Sequence, residues 1–229
     1  MSQKPFHDSP ILVTGCARSG TSLVAGIINL CGAFGGELLG PNSWNQKGMF
    51  ENLFIRENLV KPYLDAIGAD PRGQRPLPIA STCPIVQDWH EMFMDVMVEH
   101  GYKDGPIFYK GAKMCLMWPV WHTAFPKAKW VITERDDEGI IASCMRTVFM
   151  NTYTDEKGWQ SWIDHHKECF QEMYDARTPW LDLFEIKTPD IIQGDLSGVK
   201  EMIQWLGLDW DEDAVKEFIS PEIWHGEKL

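Results

Sequence analysis

"ILVTGCARSGTS", Ile11 to Ser22, sets a short β-branched apolar run against a glycine-punctuated turn, and the apolar stretch "TSLVAGIINLCGA" continues directly from it. The first run reads as a buried strand and the second as a buried helix. A strand, a tight turn and a helix in this order aim successive backbone N–H groups and the positive end of a helix dipole at one point, which binds anions. Gly15 and Gly20 have the spacing of a G-x-x-x-x-G-K-[ST] phosphate loop, but Thr21 stands at the lysine position and Arg18 is the loop's cation. The candidate ligand contacts are Gly15, Arg18, Ser19, Gly20, Thr21 and Ser22. The backbone and hydroxyls act as donors, and the forked, permanently charged Arg18 suits a tetrahedral oxyanion.

The missing lysine bears on the chemistry. Transfer from a nucleoside triphosphate relies on that lysine together with a metal, which an acid on a later strand helps to hold. The later strand here, "WVITERDD", delivers Arg135 instead, followed by Asp136 and Asp137. Those two acids keep a kinase-like phosphotransferase open as an alternative. A cysteine-phosphatase loop is excluded, because it needs its arginine further from the cysteine than Arg18 is from Cys16.

A second stretch, "RDDEGIIAS" from Arg135 to Ser143, has its arginine at the carboxyl end of a predicted strand. Ser143 lies about two turns along the following helix, with Arg146 about one turn further. Cations and a hydroxyl converge at the mouth of the sheet, where open α/β folds bind ligands. Taken alone, the stretch is equally an arginine paired with acids at a helix start. Together with the first loop it points to a ligand carrying two separate phosphate groups.

"PIFYK", "AKWVITER" and "LFEIK" read as further strands. Helical spacing is expected from Leu53 to Ile67, across "VQDWHEMFMDVMVEHG" and "DDEGIIASCMRTVFM", from Trp159 to Tyr174, and in acidic segments near the end. Strands alternating with helices predict an α/β fold, a three-layer α/β/α arrangement around a mainly parallel sheet of the P-loop NTPase-like kind. No repeat or linker interrupts it, so residues 1–229 are read as one domain. The Gly/Pro-rich stretches 34–50 and 69–85, with 150–180, are expected to shape the site of a second substrate.

Composition narrows the classes. A net charge of −12 argues against nucleic-acid binding and disfavours a polyanionic acceptor. No apolar run is long enough to span a bilayer, and "MSQKPFHDSP" has no leader-like pattern, so a cytoplasmic protein is expected. Six cysteines scattered without C-x-x-C pairs read as reduced core thiols. His165 and His166 are adjacent and lack a third ligand in register; they read as ordinary surface or half-buried residues, and no metal site is expected. Among the tryptophans, Trp44, Trp118 and Trp121 are candidates to border the second-substrate site.

The pair "GCARSGTS" and "RDDEGIIAS" resembles the signature pair of the sulfotransferases that use 3′-phosphoadenosine-5′-phosphosulfate (PAPS), usually written G-x-P-R-S-G-T-[ST] and R-[DN]-P-x5-S. Ala17 and Asp137 stand in for the prolines. "NQKGMFEN", "YKGAKMCLMWPVWHTAFPKAKWVITERD" and "QGDLSGVKEMIQWLGLDWD" are similar to further segments of that family. In these Lys110 falls on a lysine and Lys113 on an arginine, Gly111 and Ala112 replace Asp-Pro, and Gln193 takes the place of a tyrosine that commonly lines the nucleotide pocket. The resemblance implies sulfuryl transfer from PAPS, without a metal, to a hydroxyl or amine of a small-molecule or glycan acceptor. It implies that the first motif holds the 5′-phosphosulfate and that Arg135 and Ser143 hold the 3′-phosphate. Arg18 and Lys110 become the catalytic cations and Glu51 the general base, with Glu37 and His122 behind it. Ala112 and Gln193 keep a third reading open, a non-catalytic nucleotide-binding protein of the same fold.

Overall fold

The computed structural model describes residues 9–42, 45–176 and 181–219. Its sheet consists of β1 (Ile11–Gly15), β2 (Phe108–Lys110), β3 (Lys129–Glu134) and β4 (Asp182–Lys187) in the order β2-β1-β3-β4, every pair parallel. The register sets Val13 beside Lys110 and Gly15 beside Thr133, so the strands end at a common edge. That edge is where the phosphate loop leaves β1.

The helices are α1 (Thr21–Leu30), α2 (Leu53–Ile55), α3 (Lys61–Ala66), α4 (Trp89–Glu99), α5 (Trp118–Ala124), α6 (Asp137–Arg146), α7 (Glu156–Asp175), α8 (Thr188–Ile192), α9 (Ser197–Leu206) and α10 (Glu212–Phe218). Alternation along the strands divides the core. Leu12, Tyr109, Trp130, Ile132 and Leu183 pack under α4 to α7, whereas Ile11, Val13, Phe108, Val131 and Ile186 pack under α1, α9 and α10. Two cores on opposite faces of one parallel sheet make the three-layer α/β/α architecture that the strand–helix alternation predicts.

The expected helix from Leu53 to Ile67 forms, but a π-helical turn, Arg56–Val60, joins α2 to α3. Such turns re-aim side chains within a helix, and this one carries Arg56 towards Glu51, 3.2 Å away. The short helices α5 and α8 fall in stretches where periodicity shows no helix. In α5, Trp121 is fully buried, 5.3 Å from the ring of Trp89 and stacked 5.1 Å from Tyr109. Trp118 donates its indole N–H to Glu172 at 3.2 Å. Neither borders a cavity described below, contrary to expectation: one cavity wall includes Lys110, Ala112 and Lys113, and α5, which starts only at Trp118, packs Trp121 into the aromatic cluster instead. Trp44 lies outside the described residues, as does "SPEIWHGEKL", residues 220–229.

Candidate active site

The loop after β1 is held by buried hydroxyls. Ser19 donates to the Cys16 carbonyl at 2.7 Å and lies 2.6 Å from the Thr133 hydroxyl, and Thr188, where β4 passes into α8, donates to the Ser19 carbonyl at 2.7 Å. A hydroxyl has a single proton, so the Ser19 donor is used on the loop itself. Gly20 is the N-cap of α1 at φ 94, a left-handed conformation, and no side chain caps the helix. A Cβ at Gly20 would sit 2.7 Å from Thr188 Cγ2. Gly20→Ala is therefore expected to cost about 2 kcal/mol or more, from left-handed strain plus overpacking. Urea unfolding at neutral pH measures the loss, and an unchanged midpoint would remove this account of the glycine.

The uncapped start of α1 leaves donors available. Among the described residues, the amides of Gly20, Thr21 and Ser22 have no backbone partner. Arg18, also in the left-handed region at φ 73, reaches from the loop to α6, where its Nε donates to Ser143 Oγ at 2.9 Å. Arg135 returns the link by donating from Nη1 to the Arg18 carbonyl at 3.2 Å. Its guanidinium fits over Gly139, whose missing Cβ would meet Arg135 Nε at 2.5 Å. The two sequence motifs, more than a hundred residues apart, thus form one cationic site at the sheet edge. Burial lowers the pKa of both arginines and each repels nearby cations, which is the field an anion would relieve.

The loop lies between two cavities. One, of about 510 Å³, sits over the ends of β3 and β4, with Ser19, Thr133, Arg135, Phe170, Tyr174 and Pro189 in its wall. The other, of about 390 Å³, sits on the β2 side; Arg18, Thr21, Ser22, Glu51, Lys110 and Trp162 are among its lining residues. Each stretch expected to shape a second-substrate site contributes to this second cavity: Leu39 and Met49 from the first, Arg72 and Gln74 from the next, Met150, Trp162 and His166 from the last.

Lys110 is 4% exposed, and its ammonium makes no hydrogen bond or ion pair among the described residues. Burial lowers its pKa, opposed by the charge of Glu51. Glu51, 3% exposed, lies in the same wall and is paired with Arg56. Burial pushes its carboxyl up, but Lys110, Lys113 and Arg56 outweigh this and hold it below the usual range. The other candidate bases sit elsewhere. Glu37 is exposed, its backbone N–H donating to His100 Nδ1 at 3.2 Å, and His122 lies on α5; neither is in the wall of these two cavities. Gln193 caps the C-terminal end of α8 and also lies outside both cavities.

His166 is the main site residue that sequence reasoning missed. Far from being a surface or half-buried group, it is 1% exposed on α7 and lines the β2-side cavity. Its Nδ1 lies 2.8 Å from the Trp162 carbonyl, which can only accept, so Nδ1 carries the proton and Nε2 the lone pair. Asp136 and Asp137, the acids that could serve a metal, are otherwise engaged. Asp136 accepts the Gly139 N–H at 2.5 Å as the N-cap of α6, and Asp137 pairs with Lys167 at 2.6 Å.

No curated protein matches the chain. Among solved structures it is similar to sulfotransferase STF1 of Mycobacterium tuberculosis, with TM-score 0.52 and 14% identity over 92% of this chain and 70% of that one. It is similar also to the sulfotransferase domain of the Synechococcus PCC 7002 olefin synthase, with TM-score 0.55 and 15% identity over 96% and 81%. A third is the sulfotransferase domain of the curacin biosynthetic pathway, with TM-score 0.57 and 11% identity over 90% and 76%. These likenesses establish the fold, and the sulfotransferase family profile matches residues 10–212, which includes both motifs, Glu51 and Lys110. The chain belongs to the sulfotransferase family.

Proposed function

We propose that this transferase moves a sulfuryl group from PAPS to a hydroxyl or amine of a small acceptor, with residues 1–229 acting as one cytoplasmic domain. The observation that carries this reading is the Arg18–Ser143 bond, with Arg135 on the Arg18 carbonyl, which joins both anion-binding motifs at the uncapped start of α1. Strand order supplies the layout. β1 lies between β2, which ends in Lys110, and β3, after which Arg135 follows. The nucleoside fits the cavity over β3 and β4, its 3′-phosphate falling to Arg135 and Ser143. The acceptor fits the cavity over β2, and the phosphosulfate lies between them on the loop.

The donor, when bound, supplies a sulfuryl group on a phosphate leaving group. The acceptor oxygen–sulfur bond forms as the bond from sulfur to the phosphate oxygen breaks, the acceptor proton passes to a base, and 3′,5′-ADP departs with the bonding pair. Arg18, Lys110 and the amides of Gly20, Thr21 and Ser22 stabilise charge that spreads in the transition state, with Thr21 and Ser22 hydroxyls beside them. Glu51 is the proposed base: it is ionised at neutral pH and shares the cavity wall with Lys110. His166 is a second reading for that role alone, favoured by the lone pair on Nε2. Glu51→Gln and His166→Asn, assayed side by side, separate the two, since the true base loses about a hundredfold in kcat or more.

The first test is unfolding in the presence of 3′,5′-ADP. At about 100 times its Kd it is expected to add about 2.7 kcal/mol. Labelled sulfate from PAPS, offered with an acceptor panel, then reports transfer. Stabilisation by Mg-ATP but not by 3′,5′-ADP would favour the phosphotransferase and remove this proposal.

A further inference from the structure

The β2-side cavity carries a charge opposite to that of the whole chain. The protein has a net charge of −12, yet among the described residues Arg18, Arg56, Lys61, Arg72, Lys110 and Lys113 line this cavity against the single carboxylate of Glu51. Most of these cations have partners. Arg18 donates to Ser143; Arg56 pairs with Glu51 and Glu57 at 3.2 and 2.8 Å; Lys61 pairs with Glu57 at 2.7 Å; Arg72 lies 3.6 Å from Asp70. Lys110 and Lys113 are the lining ammonium groups without a hydrogen bond or ion pair among the described residues.

These two lysines stand at different depths. Lys110 ends β2 beside the phosphate loop and is close enough to Arg18 for the two charges to repel. Lys113 lies further on; its charge interacts first with that of Glu51 and then with those of Arg56, Lys61 and Glu57, and its stem crosses Gly73, whose missing Cβ would lie 2.8 Å from Lys113 Cγ. From the loop outward the cations run Arg18, Lys110, Lys113. The first two suffice for a phosphosulfate. Among the described lining residues Glu51 is already paired with Arg56 and its charge is shared by Lys110 and Lys113, so the half-buried Lys113 ammonium, with no hydrogen bond or ion pair of its own, calls for another anion. Met150 and Trp162 give the same wall an apolar part.

We propose that the acceptor brings its own anionic group: a small hydroxylated or amino compound bearing a carboxylate, with that carboxylate on Lys113 and its nucleophilic end towards Lys110 and Arg18. This rests on the sulfotransferase reading and deepens it by naming the acceptor class. A single anionic head differs from the polyanionic acceptor that overall charge disfavours.

The test pairs hydroxylated acids with their primary amides, beginning with 4-hydroxyphenylacetate and 4-hydroxyphenylacetamide. Binding to the full chain saturated with 3′,5′-ADP is measured by calorimetry, which does not depend on turnover. The acids are expected to bind about tenfold more tightly than the amides, as one charge-assisted hydrogen bond provides. Lys113→Met should bring the pair to within about twofold and Lys113→Arg should keep most of the preference, both leaving 3′,5′-ADP affinity within about twofold of the parent. Absence of any acid preference across the panel, including the case in which neither member binds, overturns the proposal. So does a Lys113→Met variant that loses affinity for 3′,5′-ADP, which would place Lys113 in the donor site. Failure of the parent to bind 3′,5′-ADP is a separate result and counts against the sulfotransferase reading instead.

Discussion

Arg18→Ala is expected to lower kcat about 10²- to 10³-fold, the usual cost of removing one preorganised donor from developing negative charge. The fold should survive the change. Alanine keeps the Cβ, so the left-handed backbone at φ 73 is no more strained than before, and the hydroxyls of Ser19, Thr133 and Thr188 still hold the loop. What is lost is the guanidinium between the loop and Ser143, and with it the cation that stands in place of a P-loop lysine. Arg18→Lys keeps the charge without the fork, so it should recover part of kcat but not the bond to Ser143. The decisive comparison sets kcat against 3′,5′-ADP affinity, both measured on a variant whose Tm matches the parent. If Arg18 acts on the transferring group, kcat falls further than affinity does. An unchanged kcat would remove it from the mechanism.

The fold was legible because its cues are local. "PIFYK" and "AKWVITER" each contain a strand of the sheet, "ILVT" and "LFEIK" each cover all but one residue of one, and the glycine loop between β1 and α1 announces its own geometry. The meeting of the two motifs was legible for the same reason: each motif is a strand end followed at once by a helix start, so sequence order places Arg18, Arg135 and Ser143 at the sheet edge. The β2-side cavity depends on packing between distant segments. Periodicity marks one side of α7 as buried, and nothing in it tells whether Trp162 and His166 meet core or cavity. Trp121 shows the reverse error. It follows Lys110 closely in sequence, but α5 carries it into the aromatic cluster with Trp89 and Tyr109. The π-helical turn that aims Arg56 at Glu51 has no local signature either, because a helix with one extra residue in a turn has nearly the same apolar spacing.

His166 should make the protein lose stability in mild acid. Burial, helped slightly by the charge of His165 and opposed by the bond to the Trp162 carbonyl, pushes its pKa down to about 4 from the 6.5 of a free imidazole. The unfolded chain therefore takes up a proton in a range where the native protein does not. Stability rises with pH across that interval, so it is complete above about pH 6.5 and is lost progressively as the pH falls towards 4. A gap of that size corresponds to about 3 kcal/mol at most. Asp70 and Asp137, held low by backbone amides and by Lys167 respectively, give up their contributions only in stronger acid, which leaves the interval clear of them. His122, also lowered by burial, contributes in the same direction and is unchanged in the comparison. His166→Gln offers Trp162 a neutral donor with no such titration, so its urea midpoint should vary less than the parent's between pH 6.5 and 4. Parallel curves for the two proteins would mean that His166 takes up its proton in the native protein at the same pH as in the unfolded chain. A native imidazole with that ordinary affinity would be charged in mild acid and could not hold the lone pair on Nε2 there.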